Sequence, residues 1–377
     1  MGISARPTTR PTIRPAVFED AVAVKNLHRR VGFRDEVRDT WPWLWTNNPV
    51  WAKTDPKPCI AWVLEAEGQT VGYLANIPLL CHYKGTTLVA AASGGFAVDQ
   101  AYRGYGLLLA AAFFEQENVD IFLNTSASVV SASIYQRFKA IPIPQRDYDK
   151  ISFWVLRPQP FMASVLRKAK LNSPLTWLAS NLSAILLRLD IAVRRKRPRR
   201  KASQLEKQSD VSLIDVSEIG PEFDAFWSRK IKEENRLLSY RTAETLRWHF
   251  AGRPAKVVCC RRDSDLVGYA VMIRDDIESF GLVRSKIVDL IAENNDSQVV
   301  DQLLESAYNH ARRDGSHVLE VMGFPHGIRD TILRNRPYIR TAPNWPYYYQ
   351  ARDIVIQAEL QEENSWYACP FDGDASL

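Results

Sequence analysis

The residues Arg103-Gly104-Tyr105-Gly106 stand where an apolar strand pattern, TTLVAAASGGFAV, gives way to an apolar helix pattern, GLLLAAAFF. A turn that opens a helix leaves backbone N–H groups unpaired at the positive end of the helix dipole, where they can face an anion. Gly104 and Gly106 permit close approach of the backbone, and Arg103 adds a donor and a positive charge. The chemistry this predicts is the holding of a phosphate-bearing molecule. A strand–turn–helix joint with no ligand uses glycine for backbone reasons alone, so the neighbouring residues decide.

Two polar side chains follow at useful places. Asn124 ends a short strand pattern, VDIFLN, and Tyr135 lies on a helix pattern, SASVVSASIYQRF, with Ser126 its expected N-cap. The Tyr135 ring could fill space between helix and sheet. Asp99, just past Val98, could serve as a base or as a solvated turn residue. Trp41 and Trp51 are free to meet a ligand, whereas Trp43 and Trp45 read as core. Asp372 and Asp374 in the tail SWYACPFDGDASL resemble a metal motif only superficially and read as an ordered or frayed terminus, not as a site.

Other reaction classes lack their residues. There is no Gly-x-x-x-x-Gly-Lys-Ser/Thr, no Gly-x-Ser-x-Gly and no His-Glu-x-x-His. The six histidines show no ligand spacing, so no metal is expected.

The 377 residues suffice for two domains with substantial cores. The net charge of +6 is local: RRKRPRRK, Arg194 to Lys201, carries seven positive charges, and without it the chain stands at −1. That argues against a nucleic-acid partner. The five cysteines lack metal-type spacing and read as reduced thiols, and the N-terminus is polar, so a cytoplasmic location is expected.

Residues 1–157 alternate strand and helix patterns, beginning with TIRPAV and FEDAVAVKNLHRRV, with Glu67-Gly68-Gln69 as a hairpin turn and KISFWVL as the closing strand. Residues 158–208 read as a helical, basic linker. Leu175, Leu178, Leu182, Ile185, Leu189 and Val193 form one stripe, either packed on a neighbouring domain or, within 171–201, touching an anionic membrane surface. The pattern then restarts over 209–360, with 361–377 as a tail. WLWTNNP (43–49) and VGYLANI (71–77) return in the same order as WHFAGRP (248–254) and VGYAVMI (267–273), which predicts a duplication.

With these residues in hand, the chain resembles the GNAT superfamily of N-acyltransferases over about 11–157, and more loosely over 209–355. VDQAYRGYGLLL is similar to the family's acyl-CoA signature, with Arg103 and Gly106 in register, and NTSASVVSASIYQRF resembles its strand-end Asn followed by a Tyr-bearing helix. The resemblance implies an α/β (α+β) fold: two tandem GNAT-like domains, each a mixed, mostly antiparallel sheet flanked by helices, the second degenerate. It implies that Phe96, Val98, Arg103, Gly104, Tyr105, Gly106, Leu107 and Asn124 bind acetyl-CoA or another acyl-CoA. Catalytic roles fall to Tyr135 as acid and Asp99 as a candidate base. The pantetheine arm would pair with β-strand backbone opened by a bulge at Ser93-Gly94-Gly95.

Two departures from the family pattern matter. Leu108 stands at the signature's last small position. The strand before the turn contains no carboxylate, where many members carry a glutamate base, which leaves Glu65, Asp99 and His82 as candidates. The expected function is acyl transfer to a small-molecule amine, with an amino sugar or cell-envelope precursor as the suggested acceptor. The alternative is a non-catalytic acyl-CoA-binding or partner-binding module.

Overall fold

The computed structural model describes residues 9–33, 41–170, 175–195 and 210–377. The chain divides into two compact units, each assembled from separate stretches of sequence. The first holds residues up to Arg146 together with Glu234–Gly252 and Pro343–Leu377; the second holds Asp147–Glu233 and Arg253–Ala342.

The strands, in chain order, are β1 (Thr12–Pro15), β2 (Ala61–Ala66), β3 (Gln69–Tyr83), β4 (Thr86–Val98), β5 (Ile121–Asn124), β6 (Ile141–Pro142) and β7 (Lys150–Val155). They continue with β8 (Asp210–Asp215), β9 (Leu238–Ser239), β10 (Ala255–Arg262), β11 (Asp265–Arg274), β12 (Arg284–Ala292), β13 (Val318–Met322), β14 (Tyr338–Thr341) and β15 (Tyr348–Ala351). The first unit's sheet runs β1-β2-β3-β4-β5-β15-β6, with β9 on the free length of β3. Its pairs are antiparallel except β4 with β5. The second unit's sheet runs β14-β7-β13-β12-β11-β10-β8, again with one parallel pair, β12 with β13.

These sheets overturn the linear division into 1–157 and 209–360. KISFWVL does not close the first unit; as β7 it pairs with β13 and β14. The strand beside β5 is instead β15, with Tyr348 opposite Asn124 and Ala351 opposite Ile121. Periodicity reports that a segment is a strand but carries no information about which sheet edge it fills. The 361–377 stretch is the ordered terminus of the two alternatives, with Trp366, Tyr367, Cys369 and Phe371 buried within the first unit.

The helices that matter below are α1 (Ala21–Arg30), α2 (Trp43–Thr46), α3 (Pro49–Lys53), α4 (Gly106–Phe114), α5 (Val129–Arg137), α6 (Pro158–Lys168), α7 (Leu175–Arg195), α8 (Pro221–Glu233) and α9 (Ala243–Phe250). Helix α4 follows directly from a 3-10 turn over Gln100–Tyr105. It lays Leu109 and Phe113 on Trp62, Leu74 and Phe122 of the sheet. Burial of side chains this size is the main term that fixes the helix to the sheet. Glu67 and Gly68, at φ 52° and 74°, form the expected hairpin turn.

Helix α7 carries half of the expected apolar stripe among the described side chains. Among its described side chains, Ser180 and Ala184 are buried, while Ile185, Leu189 and Val193 are exposed. The side chains of Leu175, Leu178 and Leu182, and residues 196–209 with most of the basic run, lie outside the described residues. Among the described residues no helix is long and apolar enough to cross a membrane, and no three His, Cys, Asp or Glu gather as a metal site.

Candidate active site

The site is built where β4 parts from β5. Their parallel pairing covers Ala90–Ile121 to Ala92–Leu123 and stops there, while β4 runs on to Val98. Beyond Ala92 that edge of β4 is not taken by β5, so it offers backbone groups to an extended partner. On the other side, β3 pairs Tyr73 with Ala97 and Ala75 with Gly94, so Gly95 and Phe96 together face one residue. This is a bulge, and Gly95 takes φ 58° to make it. The expected bulge is therefore centred on Gly95-Phe96, one residue later than the Ser93-Gly94-Gly95 run.

His28 of α1 holds the bulge from behind. Its Nε2–H donates to the Gly95 carbonyl at 2.9 Å, which fixes the tautomer and leaves Nδ1 as a buried acceptor with no partner. Phe33 stacks on the ring at 4.7 Å, and burial lowers the His28 pKa. A side chain on Gly95 would meet Tyr73 at 3.1 Å and His28 at 3.2 Å, so glycine is required for space as well as for φ. Nothing in the local pattern singles out His28, because its partner lies 67 residues away.

Asn124 and Tyr135 converge on the gap. Asn124 donates to Ser93 Oγ at 2.9 Å, and its Oδ1 has no partner. The Tyr135 hydroxyl is buried near Ser93 and within electrostatic reach of Asp374, yet forms no hydrogen bond of proper geometry. Burial raises its pKa, so it holds its proton. Its ring stacks on Phe96 at 5.9 Å. A cavity of about 10 Å³, room for one water, is lined by Ser93, Asn124, Tyr135 and by Tyr348 and Tyr349 of β15. The two β15 tyrosines, brought in by the strand exchange, were not foreseen.

The turn itself is wound more tightly than an open loop. The Gly106 N–H bonds the Arg103 carbonyl, so the 3-10 turn uses one of the donors that an anion would share. Arg103 and Gly104 are exposed, and a Cβ on Gly104 would meet nothing within 4 Å. A Cβ on Gly106 would approach Phe96 at 3.3 Å, Val98 at 3.5 Å and Ile134 at 3.6 Å. Gly106 thus lets α4 close on β4 and α5. Tyr105 and Leu107 are half-buried beside it.

A carboxylate does stand beside β4, and it comes from the C-terminal stretch. Asp374 accepts from Thr125 Oγ1 at 2.8 Å and from Ser126 Oγ, and it lies against Gly94, where an added Cβ would be 3.3 Å from Asp374 Cβ. Gly373 permits this, since a side chain there would strike Thr125 Oγ1 at 2.7 Å. Asp374 keeps some solvent access but is closely surrounded by protein. That desolvation raises its pKa despite the Ser126 and Thr125 hydrogen bonds. Ser126 therefore does not cap α5; Ser128 does, accepting from Ser131 N–H.

The earlier base candidates are engaged elsewhere. Asp99 pairs with Arg30 at 2.7 Å. Glu65 pairs with Arg14 at 2.8 Å, and this partner lowers its pKa and weakens it as a base. His82 accepts from Gly85 N–H in its own hairpin. Among the tryptophans, Trp41 is buried with its N–H on Tyr73 Oη at 2.8 Å, not free for a ligand. Trp45 is buried as expected, and Trp43 stacks on Trp248 at 6.2 Å.

No family model matches the sequence, and no curated protein matches it. Solved structures do match. A GCN5-related N-acetyltransferase from Anabaena variabilis aligns with a TM-score of 0.55 at 10% identity, over 92% of this chain and 74% of its own. A GCN5-related N-acetyltransferase from Kribbella flavida aligns at 0.53 and 10% identity, over 91% and 71%. A structure from Pyrococcus horikoshii aligns at 0.53 and 14% identity, over 100% of this chain and 99% of its own. At such identities the likeness is one of fold. The chain has the fold of the GCN5-related N-acetyltransferases.

Proposed function

We propose that the protein is an N-acyltransferase that moves an acyl group from acyl-CoA to a small-molecule amine. The observation that carries this reading is the opening of β4 from β5 with a polar acid and base at its mouth. The residues present fit the cosubstrate: a free β4 edge for the pantetheine arm, the unpaired Asn124 Oδ1 beside it, and Arg103 exposed at the head of α4. The space at Tyr135 is one water wide, so an arm reaching it has to part the side chains around it.

In the reaction the amine nitrogen attacks the thioester carbonyl carbon; the N–C bond forms and the C–S bond breaks. Asp374 takes the amine proton, and its raised pKa brings it nearer the range where a base works well. Tyr135 gives its proton to the leaving thiolate. The matching pairing schemes of the two sheets support a duplication, with the cosubstrate held by the first unit. The exposed Ile185, Leu189 and Val193 of α7, next in sequence to the basic run, support a peripheral contact with an anionic membrane. An amino sugar or envelope precursor would suit such a location.

The test is calorimetric titration of acetyl-CoA and a longer acyl-CoA into the wild type and Arg103→Glu, followed by amine turnover. Saturable binding lost in the variant, with turnover in the wild type, is expected. Binding without turnover of any amine would leave a binding module; no binding would sink the reading.

A further inference from the structure

Asp374 opens a 3-10 turn, Asp374–Ser376, and another such turn, Pro370–Asp372, comes just before it. A single helical turn freezes many dihedrals for few hydrogen bonds, so it keeps its shape only where side chains anchor it. Thr125 and Ser126 hold the carboxylate itself, and Thr125 Oγ1 also accepts from the Ala375 N–H at 3.1 Å. The backbone beneath the carboxylate is held by a different part of the first unit. That part is β9 and α9, brought there by the pairing of Leu238 with His82 and of Ser239 with Cys81 on β3.

His249 of α9 grips the segment on both sides of Asp374. After it, His249 Nε2 and Ser376 Oγ share a 2.7 Å hydrogen bond, with His249 2% and Ser376 0% exposed. Before it, the same ring lies against Phe371, with centroids 4.4 Å apart. Arg241, which follows β9, adds a second hold, but only on the part before Asp374. Its guanidinium lies 4.7 Å from the Phe371 ring and pairs with Asp372 at 3.5 Å. Polar groups buried as deeply as His249 and Ser376 keep their bond, because no water replaces a lost partner.

We propose that His249 is a positioning residue for Asp374: through Ser376 and Phe371 it fixes the turn that sets the carboxylate against Gly94, without itself meeting a substrate. The role of Asp374 as base rests on the acyl-transfer reading, whereas the hold of His249 on the turn does not. A proton acceptor has to stay within about 0.5 Å of its productive position, and a 1 Å misplacement costs about 10²-fold in rate. A single turn with one anchor removed has that much freedom.

The experiment uses the full chain with acetyl-CoA, and offers glucosamine, phenethylamine and spermidine as acceptors. It reads kcat, acetyl-CoA affinity and hydrogen exchange over residues 370–377. His249→Phe keeps a ring on Phe371 and deletes the hydrogen bond. Ser376→Ala deletes the same bond from its other end by removing one oxygen, and stands in should His249→Phe unfold. Each should speed exchange over the turn and lower kcat by about tenfold, the scale of one hydrogen bond, with acetyl-CoA affinity unchanged. The double variant should lose no more than either single one, since all three lack the same bond. His249→Gln, whose amide nitrogen reaches the place of Nε2, should recover most of both. Exchange unchanged in the single variants, faster exchange with kcat intact, or losses that multiply in the double variant overturn the proposal. A wild type that binds acetyl-CoA but acylates none of the amines, while exchange still follows the His249–Ser376 bond, sinks the acyl-transfer reading and leaves the hold on Asp374 standing.

Discussion

Asp374 rests on Gly94: a methyl group built on Gly94 would lie 3.3 Å from Asp374 Cβ and 3.5 Å from its Oδ2. The carboxylate proposed as the base is thus positioned by the absence of a side chain on the bulged strand. Gly94→Ala should displace the Asp374 carboxylate by a few tenths of an ångström or more. We expect a fall in kcat of about 10²-fold, the scale reported for small misplacements of catalytic groups, with acyl-CoA affinity little changed. Equal losses in kcat and in acyl-CoA affinity would show that Gly94 serves cosubstrate binding instead.

Asp374→Asn keeps the size of the side chain and removes the base. General-base catalysis is worth roughly 10²–10⁴-fold, and kcat/KM should fall by that amount. Because burial raises the Asp374 pKa above its ordinary 3.8, the acid limb of the wild-type pH–rate profile should lie above that value. The limb should vanish in Asp374→Asn. A limb that persists unchanged assigns the proton to another group.

Tyr135→Phe tests the acid. The ring keeps its stacking on Phe96, so folding should be preserved. Turnover should drop about 10²-fold with ordinary acyl-CoA and recover with a thioester whose thiol has a low pKa, since a good leaving group needs no proton. No recovery would leave Tyr135 as packing alone.

Arg103 is exposed at the start of α4 and has no partner among the described residues, so its removal leaves no buried charge behind. Arg103→Ala should weaken acyl-CoA binding by about tenfold at low salt, the scale of one charge-assisted contact, and by less at high salt as screening shortens its reach. Thermal stability should stay the same. An unchanged affinity at every salt concentration removes Arg103 from the cradle.

The central part of the site was legible because its signals are local. Gly104 and Gly106 mark a turn, a continuous apolar run marks β4, and Tyr135 follows on a segment with a helical pattern. The residues that complete it come from far along the chain. His28 reaches Gly95 across 67 positions, and Asp374 reaches Thr125 across 249. β15, which brings Tyr348 and Tyr349, was not read as a strand, and its local sequence gives no sign of its neighbour. The pairing of KISFWVL with β13 was hidden for the same reason. Local propensity selects an element; only the global packing selects its partner.

His28 offers a last test, on stability. Burial lowers its pKa below 6.5, so above that pH both folded and unfolded states hold it neutral. Below 6.5 the unfolded chain takes up the proton first, and stability is lost as pH falls through this window. His28→Gln retains a donor for the Gly95 carbonyl but cannot titrate. The wild type should therefore lose more Tm than His28→Gln between pH 7 and pH 5, while the two differ little above pH 7. Parallel Tm–pH curves for the two proteins would show that His28 is not buried as a neutral ring beneath the bulge.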